Sequence, residues 1–380
     1  MTSIPDTIAT WQMLQPETRD SATSVTIPGR LELVELPVPA LAAGEVLVEI
    51  AGCGVCDADL GFFYDGIPTA SQPPLTLGHE ISGTVVAGEA SWLGKEVLIA
   101  VGKPCGRCPS CRSGRGDLCR VPKIPGNGAG IYGGFSSHIP VAASCLCEIA
   151  HRRNVPLEHL AAVADTVATA YQAARSASIT VGDNVIVIGA RGVGPFIVQM
   201  AKALGAATVM VVDTVETRLR RTLSCGADVV INTAGKSPAE VAAEVNHLRA
   251  TRGLPVWGWK IFEATGTRSG WETALALPGR AGKLLLIASE PITDDHAMSS
   301  ITVSGAEIIG TRGCPPDDYP QVLDMVTSGR IVLVPFVQTR PMSWIREVFA
   351  EAHMAPPDKH TVLTADDMGL EVGPEPKSCR

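Results

Sequence analysis

Four cysteines fall at the spacing of a metal site. Cys105, Cys108, Cys111 and Cys119 form Cys-x2-Cys-x2-Cys-x7-Cys, with Gly106, Pro109, Gly114 and Gly116 among them. Four thiolates on a backbone able to fold around one ion suit a closed, tetrahedral structural zinc site. The competing readings are four unrelated thiols and an iron–sulfur cluster, since cysteine spacing alone does not separate a cluster from an ion. The motifs around the lobe favour zinc, and its expected role is to stabilise a loop rather than to do chemistry.

A second set of donors comes from three separate segments. Cys56 lies in Gly52-Cys53-Gly54-Val55-Cys56-Asp57-Ala58-Asp59, His79 in Gly78-His79-Glu80 ahead of Gly83 and Gly88, and Asp165 in Val163-Ala164-Asp165-Thr166. One thiolate, one imidazole and one carboxylate would leave a fourth position open on a zinc ion. Such an ion acts as a Lewis acid on a substrate oxygen. Glu80 is expected as a group behind these ligands or as an exchangeable fourth ligand. Asp57 is a candidate for carrying a proton away, by a water chain near it or near Tyr64, and Asp59 reads as a supporting carboxylate. Each residue alone has a plainer reading: Asp165 as a helix N-cap, the cysteine as core, the histidine as structural. Their combination carries the inference.

A third constellation would hold a dinucleotide. Residues 185–194 read Val-Ile-Val-Ile-Gly189-Ala-Arg191-Gly192-Val193-Gly194. A buried strand enters a glycine turn and a helix follows, so free amides at the helix N-terminus would face a pyrophosphate. Asp213 closes the next strand 24 positions after Gly189, near the roughly 20 at which a ribose-binding acid is expected. A carboxylate there accepts from the ribose hydroxyls and repels a 2′-phosphate, which favours NAD over NADP. Arg218 nearby weakens that preference. The plainer reading of Asp213 is a turn residue after a strand.

The elements that must position these groups divide the chain. Residues 1–165 are rich in Gly, Pro and short β-branched runs such as 46–50 and 81–86, a barrel-like domain of small strands whose zinc lobe spans about 103–121. Residues 166–330 alternate apolar runs with helical stretches. An Ala-rich helix-prone segment covers 160–177, and strands are expected at 184–188, 208–212, 260–263, 283–287 and 307–310, with a helix over 196–204. That pattern is a doubly wound parallel sheet. Residues 331–380 look less regular from about Pro335, return to the first domain, and fray at 372–380. The loops at 60–74 and 294–300 are expected to shape the substrate pocket. Tyr171, Trp257, Trp259 and Trp271 read as core or interface, Cys53, Cys145, Cys147, Cys225 and Cys314 as small buried residues, and His138 as structural.

Totals set the outer bounds. The 380 residues suffice for two cores, and 46% are apolar against 18% charged. A net charge of −8 argues against nucleic acid or an anionic membrane as the main partner. No basic flank precedes an apolar run at the N-terminus and no stretch of about 18 apolar residues occurs. With eleven cysteines, four of them at ligand spacing, the expected compartment is a reducing cytoplasm.

The chain resembles the zinc-containing alcohol dehydrogenases of the medium-chain dehydrogenase/reductase superfamily. The resemblance rests on Gly78-His79-Glu80-x-x-Gly83-x-Val85-Val86-x-x-Gly88 together with the four-cysteine lobe, and it runs over nearly the whole length. It implies an α/β fold: a GroES-like β-barrel catalytic domain plus a Rossmann domain. It further implies two zinc ions per chain, NAD, and a homodimer or homotetramer. Several segments look closer to the 6-hydroxycyclohex-1-ene-1-carbonyl-CoA dehydrogenases: Trp11-Gln12-Met13 with Gln15-Pro16, Ala51 to Cys56, Phe63-Tyr64-Asp65-Gly66, and Pro125-Gly126-Asn127 on to Gly133-Gly134-Phe135-Ser136-Ser137-His138. That likeness implies a cyclic secondary alcohol carried on a CoA thioester.

Two positions depart from the family pattern. Its members carry Ser or Thr two residues after the zinc cysteine, where a hydroxyl passes on the alcohol proton; here Ala58 has none, and Gly61 stands where some place a relay histidine. Arg191 replaces the second glycine of the nucleotide fingerprint, the one that lets backbone approach the pyrophosphate. Its guanidinium either obstructs the cofactor or binds phosphate. Three functions compete: an NAD-linked alcohol dehydrogenase, a zinc hydratase, lyase or cyclase that has left redox chemistry, and a non-catalytic scaffold. The intact ligand set argues against the scaffold.

Overall fold

The computed structural model describes residues 4–19, 25–277, 279–287 and 302–365. The expected pocket loop at 294–300 and the expected frayed tail at 372–380 lie outside these. The chain divides into two compact units: Met1–Asp165 with Pro315–Leu323 and Val337–Arg380, and Thr166–Cys314 with Asp324–Phe336. The chain therefore returns to the first unit earlier than residue 331, through Pro315–Leu323, and crosses once more before Val337.

The first unit is built on a seven-stranded sheet, in the order Leu146–Glu148, Glu96–Ile99, Glu80–Gly88, Glu45–Gly54, His360–Thr364 and Val337–Pro341, with His138–Ala142 also paired to Glu45–Gly54. A three-stranded sheet sets Thr7–Gln15 between Arg30–Pro37 and Leu75–Thr76. Val46, Val48, Ile50, Ile81, Val85, Val97 and Ile99 bury their side chains in one core with Phe135 and Phe349. Each such side chain contributes roughly 1.5–3 kcal/mol by leaving water. The pairing of Glu45–Gly54 with Glu80–Gly88 shifts register between Ile50 and Gly52. A bulge there bends the strand and re-aims the residues beyond it, which here are Cys53 to Cys56.

The stretch after residue 335 is more regular than its composition suggests. It forms the strand Val337–Pro341, the helix Ile345–Met354 and the strand His360–Thr364. The helix buries Ile345, Val348, Phe349 and Ala352. Their i, i+3, i+4, i+7 spacing is present in the sequence, but Pro335, Pro341, Pro356 and Pro357 obscure it.

The second unit holds six parallel strands in the order Val229–Asn232, Thr208–Asp213, Asn184–Ile188, Lys260–Glu263, Lys283–Leu286 and Glu307–Gly310. The earliest strand in sequence lies inside the sheet and the order reverses beside it, which makes its carboxyl end the switch point where doubly wound sheets bind ligands. Ile186, Ile188, Met210, Val212, Trp259 and Ile261 pack one core layer. The Ala-rich segment is helical without a break over 158–176, passing from a 3-10 turn Glu158–Leu160 through a π turn Val163–Val167 to the α-helix Ala168–Ser176. No helix among the described residues is long and apolar enough to cross a membrane.

Candidate metal and dinucleotide sites

Three of the singled-out donors converge in the first unit. Cys56, His79 and Asp165 each present one ligand atom, all within 4.8 Å of one another. His79 Nε2 lies 3.3 Å from Asp165 Oδ2, and Cys56 Sγ lies 4.0 Å from the same oxygen. Cys56 immediately precedes the helix Asp57–Tyr64, and His79 immediately precedes the strand Glu80–Gly88. Asp165 stands inside the π turn, three residues before the α-helix begins at Ala168. It is therefore not that helix's N-cap, the alternative its sequence left open. The π turn departs from regular helix geometry at this residue, as such turns often do at functional positions.

Asp59 organises the other two. Its Oδ2 accepts from the backbone N–H of Cys56 at 3.1 Å, and its Oδ1 accepts from the backbone N–H of Gly78 at 3.1 Å. The same Oδ1 lies 3.4 Å from Nδ1 of His79. A carboxylate against one ring nitrogen sets the tautomer that leaves the other nitrogen free for a metal. Burial raises the Cys56 thiol to about 12, with His79 working in the opposite direction. Burial pulls His79 down, but Asp59 and Asp165 together hold it well above its ordinary value. A thiol, an imidazole and a carboxyl group crowded in one pocket suit a dication. The donor set and its spacing fit zinc.

Glu80 stands outside this cluster. Its Oε2 pairs with Nε2 of His360 at 2.6 Å, both side chains buried. Burial lowers His360 while the Glu80 charge lifts it above the usual histidine value. Gly54 makes the room: a Cβ there would lie 2.1 Å from Glu80 Oε2 and 2.7 Å from His360 Nε2. The sequence offered no sign of His360, which comes from the last described strand. Asp57 and Ala58 are exposed at the start of their helix. Tyr64 is the last residue of that helix, roughly 10 Å along it from Asp57 at about 1.5 Å per residue, and its ring stacks on His353 at 4.2 Å.

The four cysteines of the lobe also converge, with all four sulfurs within 4.8 Å. Cys105 and Cys111 sulfurs are 3.9 Å apart and those of Cys108 and Cys111 3.4 Å. Thiolates at about 2.3 Å from one zinc stand about 3.8 Å apart. Backbone N–H groups already point at sulfur, from Cys105 to Cys119 at 3.3 Å and from Cys108 to Cys105 at 3.4 Å. Amides and the neighbouring thiol of Cys111 bring Cys108 down to about 6. The remaining expectations divide. Cys53, Cys147 and Cys314 are buried, whereas Cys145 and Cys225 are only partly so, and no disulfide joins any described cysteine. Trp259 is fully buried and Tyr171 nearly so, but Trp257, held by an isolated bridge to Arg280, is 64% exposed.

In the second unit the glycine turn lies at the switch point. Gly189 follows the strand Asn184–Ile188 with φ at +103°, and Gly194 opens the helix Gly194–Ala203. A Cβ on Gly194 would stand 2.0 Å from the Gly189 carbonyl oxygen, so strand and helix can approach only with glycine there. Arg191, Gly192 and Val193 complete the turn, closed by a hydrogen bond from Gly194 N–H to the Arg191 carbonyl at 3.0 Å. Asp213 ends the strand Thr208–Asp213, and its two oxygens accept from Ala190 N–H at 2.7 Å and Val215 N–H at 2.8 Å. The carboxylate is thereby fixed beside the glycine turn, and each oxygen keeps a further lone pair for a hydroxyl. Arg218 is half-buried on the first turn of the helix Glu216–Leu223. A pyrophosphate bound at the helix N-terminus and a ribose bound by Asp213 fit this geometry.

Comparison with known proteins agrees with both units. Residues 42–151 match the alcohol dehydrogenase GroES-like domain and residues 192–328 match the zinc-binding dehydrogenase family. An alcohol dehydrogenase of Geobacillus stearothermophilus is 29% identical over 330 residues, 84% of this chain and 91% of the relative. A sorbitol dehydrogenase of Bombyx mori is 28% identical, covering 83% of this chain and 90% of its own. The solved acetophenone reductase of Geotrichum candidum, in complex with NAD, superposes with a TM-score of 0.76 at 26% identity, covering 96% and 98% of the two chains.

Proposed function

Since the chain belongs to the zinc-type alcohol dehydrogenase superfamily, we propose that it is a zinc-dependent oxidoreductase moving hydride between a secondary alcohol and NAD. The observation that carries the reading is the convergence of Cys56, His79 and Asp165 on one point, with Asp59 fixing two of them from behind. These three residues would hold the catalytic zinc, and Cys105, Cys108, Cys111 and Cys119 a structural one. Bound zinc supplies Lewis acidity that lowers the pKa of a substrate hydroxyl. Gly189 to Gly194 would hold the pyrophosphate of the dinucleotide and Asp213 its ribose, and the nicotinamide would supply a hydride acceptor as NAD or a hydride donor as NADH.

The chain's own residues supply the rest. Asp59 orients the His79 ring, and the Glu80–His360 pair places a second buried acid close behind the donors. Ala58 offers no hydroxyl to the departing proton, so that proton leaves through water at the exposed first turn bearing Asp57. The likeness to ring-alcohol dehydrogenases supports a cyclic alcohol, with a CoA thioester as one form, and a homodimer or homotetramer as the assembly.

The test is calorimetric titration with NAD and NADP on protein whose zinc has been quantified. NAD bound more tightly than NADP, with two zincs per chain, supports the reading; cyclic alcohols and their CoA thioesters are then screened by NADH absorbance. Two zincs with neither nucleotide bound would sink it. Ala58 favours one second reading, a zinc hydratase, lyase or cyclase. Product mass separates the two: a change of two hydrogens means redox, a change of one water means hydration.

A further inference from the structure

Tyr319 is one of the largest side chains in the protein to be fully buried, at 1% exposure. It opens the helix Tyr319–Thr327, within Pro315–Leu323, the short return of the chain to the first unit. Its hydroxyl accepts a hydrogen bond from the backbone N–H of Val101 at 3.2 Å and donates one to the carbonyl of Ala164 at 2.5 Å. Val101 follows the strand Glu96–Ile99 and stands four residues before Cys105, at the base of the four-cysteine loop. Ala164 is the residue before Asp165, inside the π turn. One hydroxyl therefore ties the base of one metal-binding loop to the turn that carries a ligand of the other.

A ring needed only to fill space would serve equally as phenylalanine; the two hydrogen bonds are what the oxygen adds. Asp59 holds Cys56 and His79, whose segments lie close to it in the chain. Asp165 arrives from 109 positions away from Cys56, and the bond to the Ala164 carbonyl fixes its backbone one residue from the ligand. Its side chain is 19% exposed against 7% for His79. Resting on the metal reading of these residues, we infer that Tyr319 is a positioning residue: its hydroxyl fixes the turn carrying Asp165 and so sets where that carboxylate meets the metal.

The experiment uses full-length protein with zinc in the four-cysteine lobe and cobalt at Cys56, His79 and Asp165. Tyr319→Phe keeps the ring and removes the two hydrogen bonds. The visible cobalt bands shift, and the cobalt binds about tenfold more weakly in chelator competition, the low end for loss of a group supporting a metal ligand. A lower Tm with unchanged cobalt bands and affinity would overturn the inference, because packing alone would produce that result. If Tyr319→Phe does not fold, wild-type protein labelled with 3-fluorotyrosine answers the same question. Its Tyr319 resonance, assigned by elimination with Phe replacements at Tyr64, Tyr132 and Tyr171, moves when the three-donor site is filled last; an unmoved resonance overturns the inference. Wild-type protein that takes up cobalt only at the four cysteines overturns the metal reading and this inference with it.

Discussion

The carboxylate of Asp59 lies 3.4 Å from Nδ1 of His79, on the side of the ring away from the nitrogen that faces Asp165. The same carboxylate accepts the backbone N–H of Cys56. One fully buried acid thus orients two of three converging donors. Asp59→Asn keeps the size but exchanges an acceptor for a donor. Zinc affinity at the three-donor site is expected to fall 10- to 100-fold, with the four-cysteine zinc unaffected. Chelator competition on the purified variant measures both, and an unchanged affinity would remove Asp59 from the site.

Metal binding here releases protons. Burial raises the Cys56 thiol to about 12, so the metal-free residue is protonated at neutral pH, whereas a metal-bound cysteine is a thiolate. Binding therefore expels that proton, and affinity rises as pH rises. Titration of protein carrying zinc only in its lobe, in two buffers of different ionisation heat, should report at least one proton released per ion. Binding that is independent of pH between 6 and 8 would contradict the assignment of Cys56 as a ligand.

The second unit carries an ion pair with a defined pH signature. Lys260 Nζ donates to Asp183 Oδ2 at 2.6 Å and to the Ser178 carbonyl at 2.5 Å. Burial pushes the Asp183 carboxyl up, but Lys260 and the Thr180 amide outweigh it and hold the carboxyl below its ordinary value. A depressed folded value means stabilisation that is full above the ordinary carboxylate range, about 3.9, and lost as pH falls through the folded value. Asp183→Asn should cost about 2 kcal/mol at pH 7, as expected for a hydrogen bond to a charged group. The gap between variant and wild type should close in thermal melts taken toward pH 3. A gap that stays constant with pH would assign the effect to packing.

Ala58 is exposed on the first turn of the helix Asp57–Tyr64. Ala58→Thr places a hydroxyl where the family's proton relay begins. A relay contributes roughly 10²–10⁴-fold, and a partial one should raise alcohol oxidation, followed as NADH absorbance, about tenfold. A rate that is unchanged or lower would show that the missing hydroxyl at residue 58 does not limit turnover.

Gly194→Ala should abolish tight nucleotide binding while leaving both zinc sites filled. The added Cβ would stand 2.0 Å from the Gly189 carbonyl, so the turn must open and its amides lose their aim. Calorimetry against NAD, with zinc quantified on the same sample, reads both halves of this expectation.

Local pattern made much of this protein legible from its residues alone. The lobe cysteines lie within fifteen positions, so chain connectivity itself brings them together. The glycine turn is likewise contiguous, and the strands at 184–188 and 208–212 could be read because buried parallel strands are near-continuous apolar runs. Cys56 and His79 were nameable as candidates, since each sits in a short motif. The groups behind them were not. His360 meets Glu80 across 280 positions and Tyr319 meets Ala164 across 155, and nothing in either local sequence marks the partner. Asp165 had two readings, cap and ligand, until the π turn placed it ahead of the helix. Residue type sets which groups can bond; only the packed backbone decides which acceptor a buried donor reaches. A buried polar group must find a partner wherever the fold supplies one.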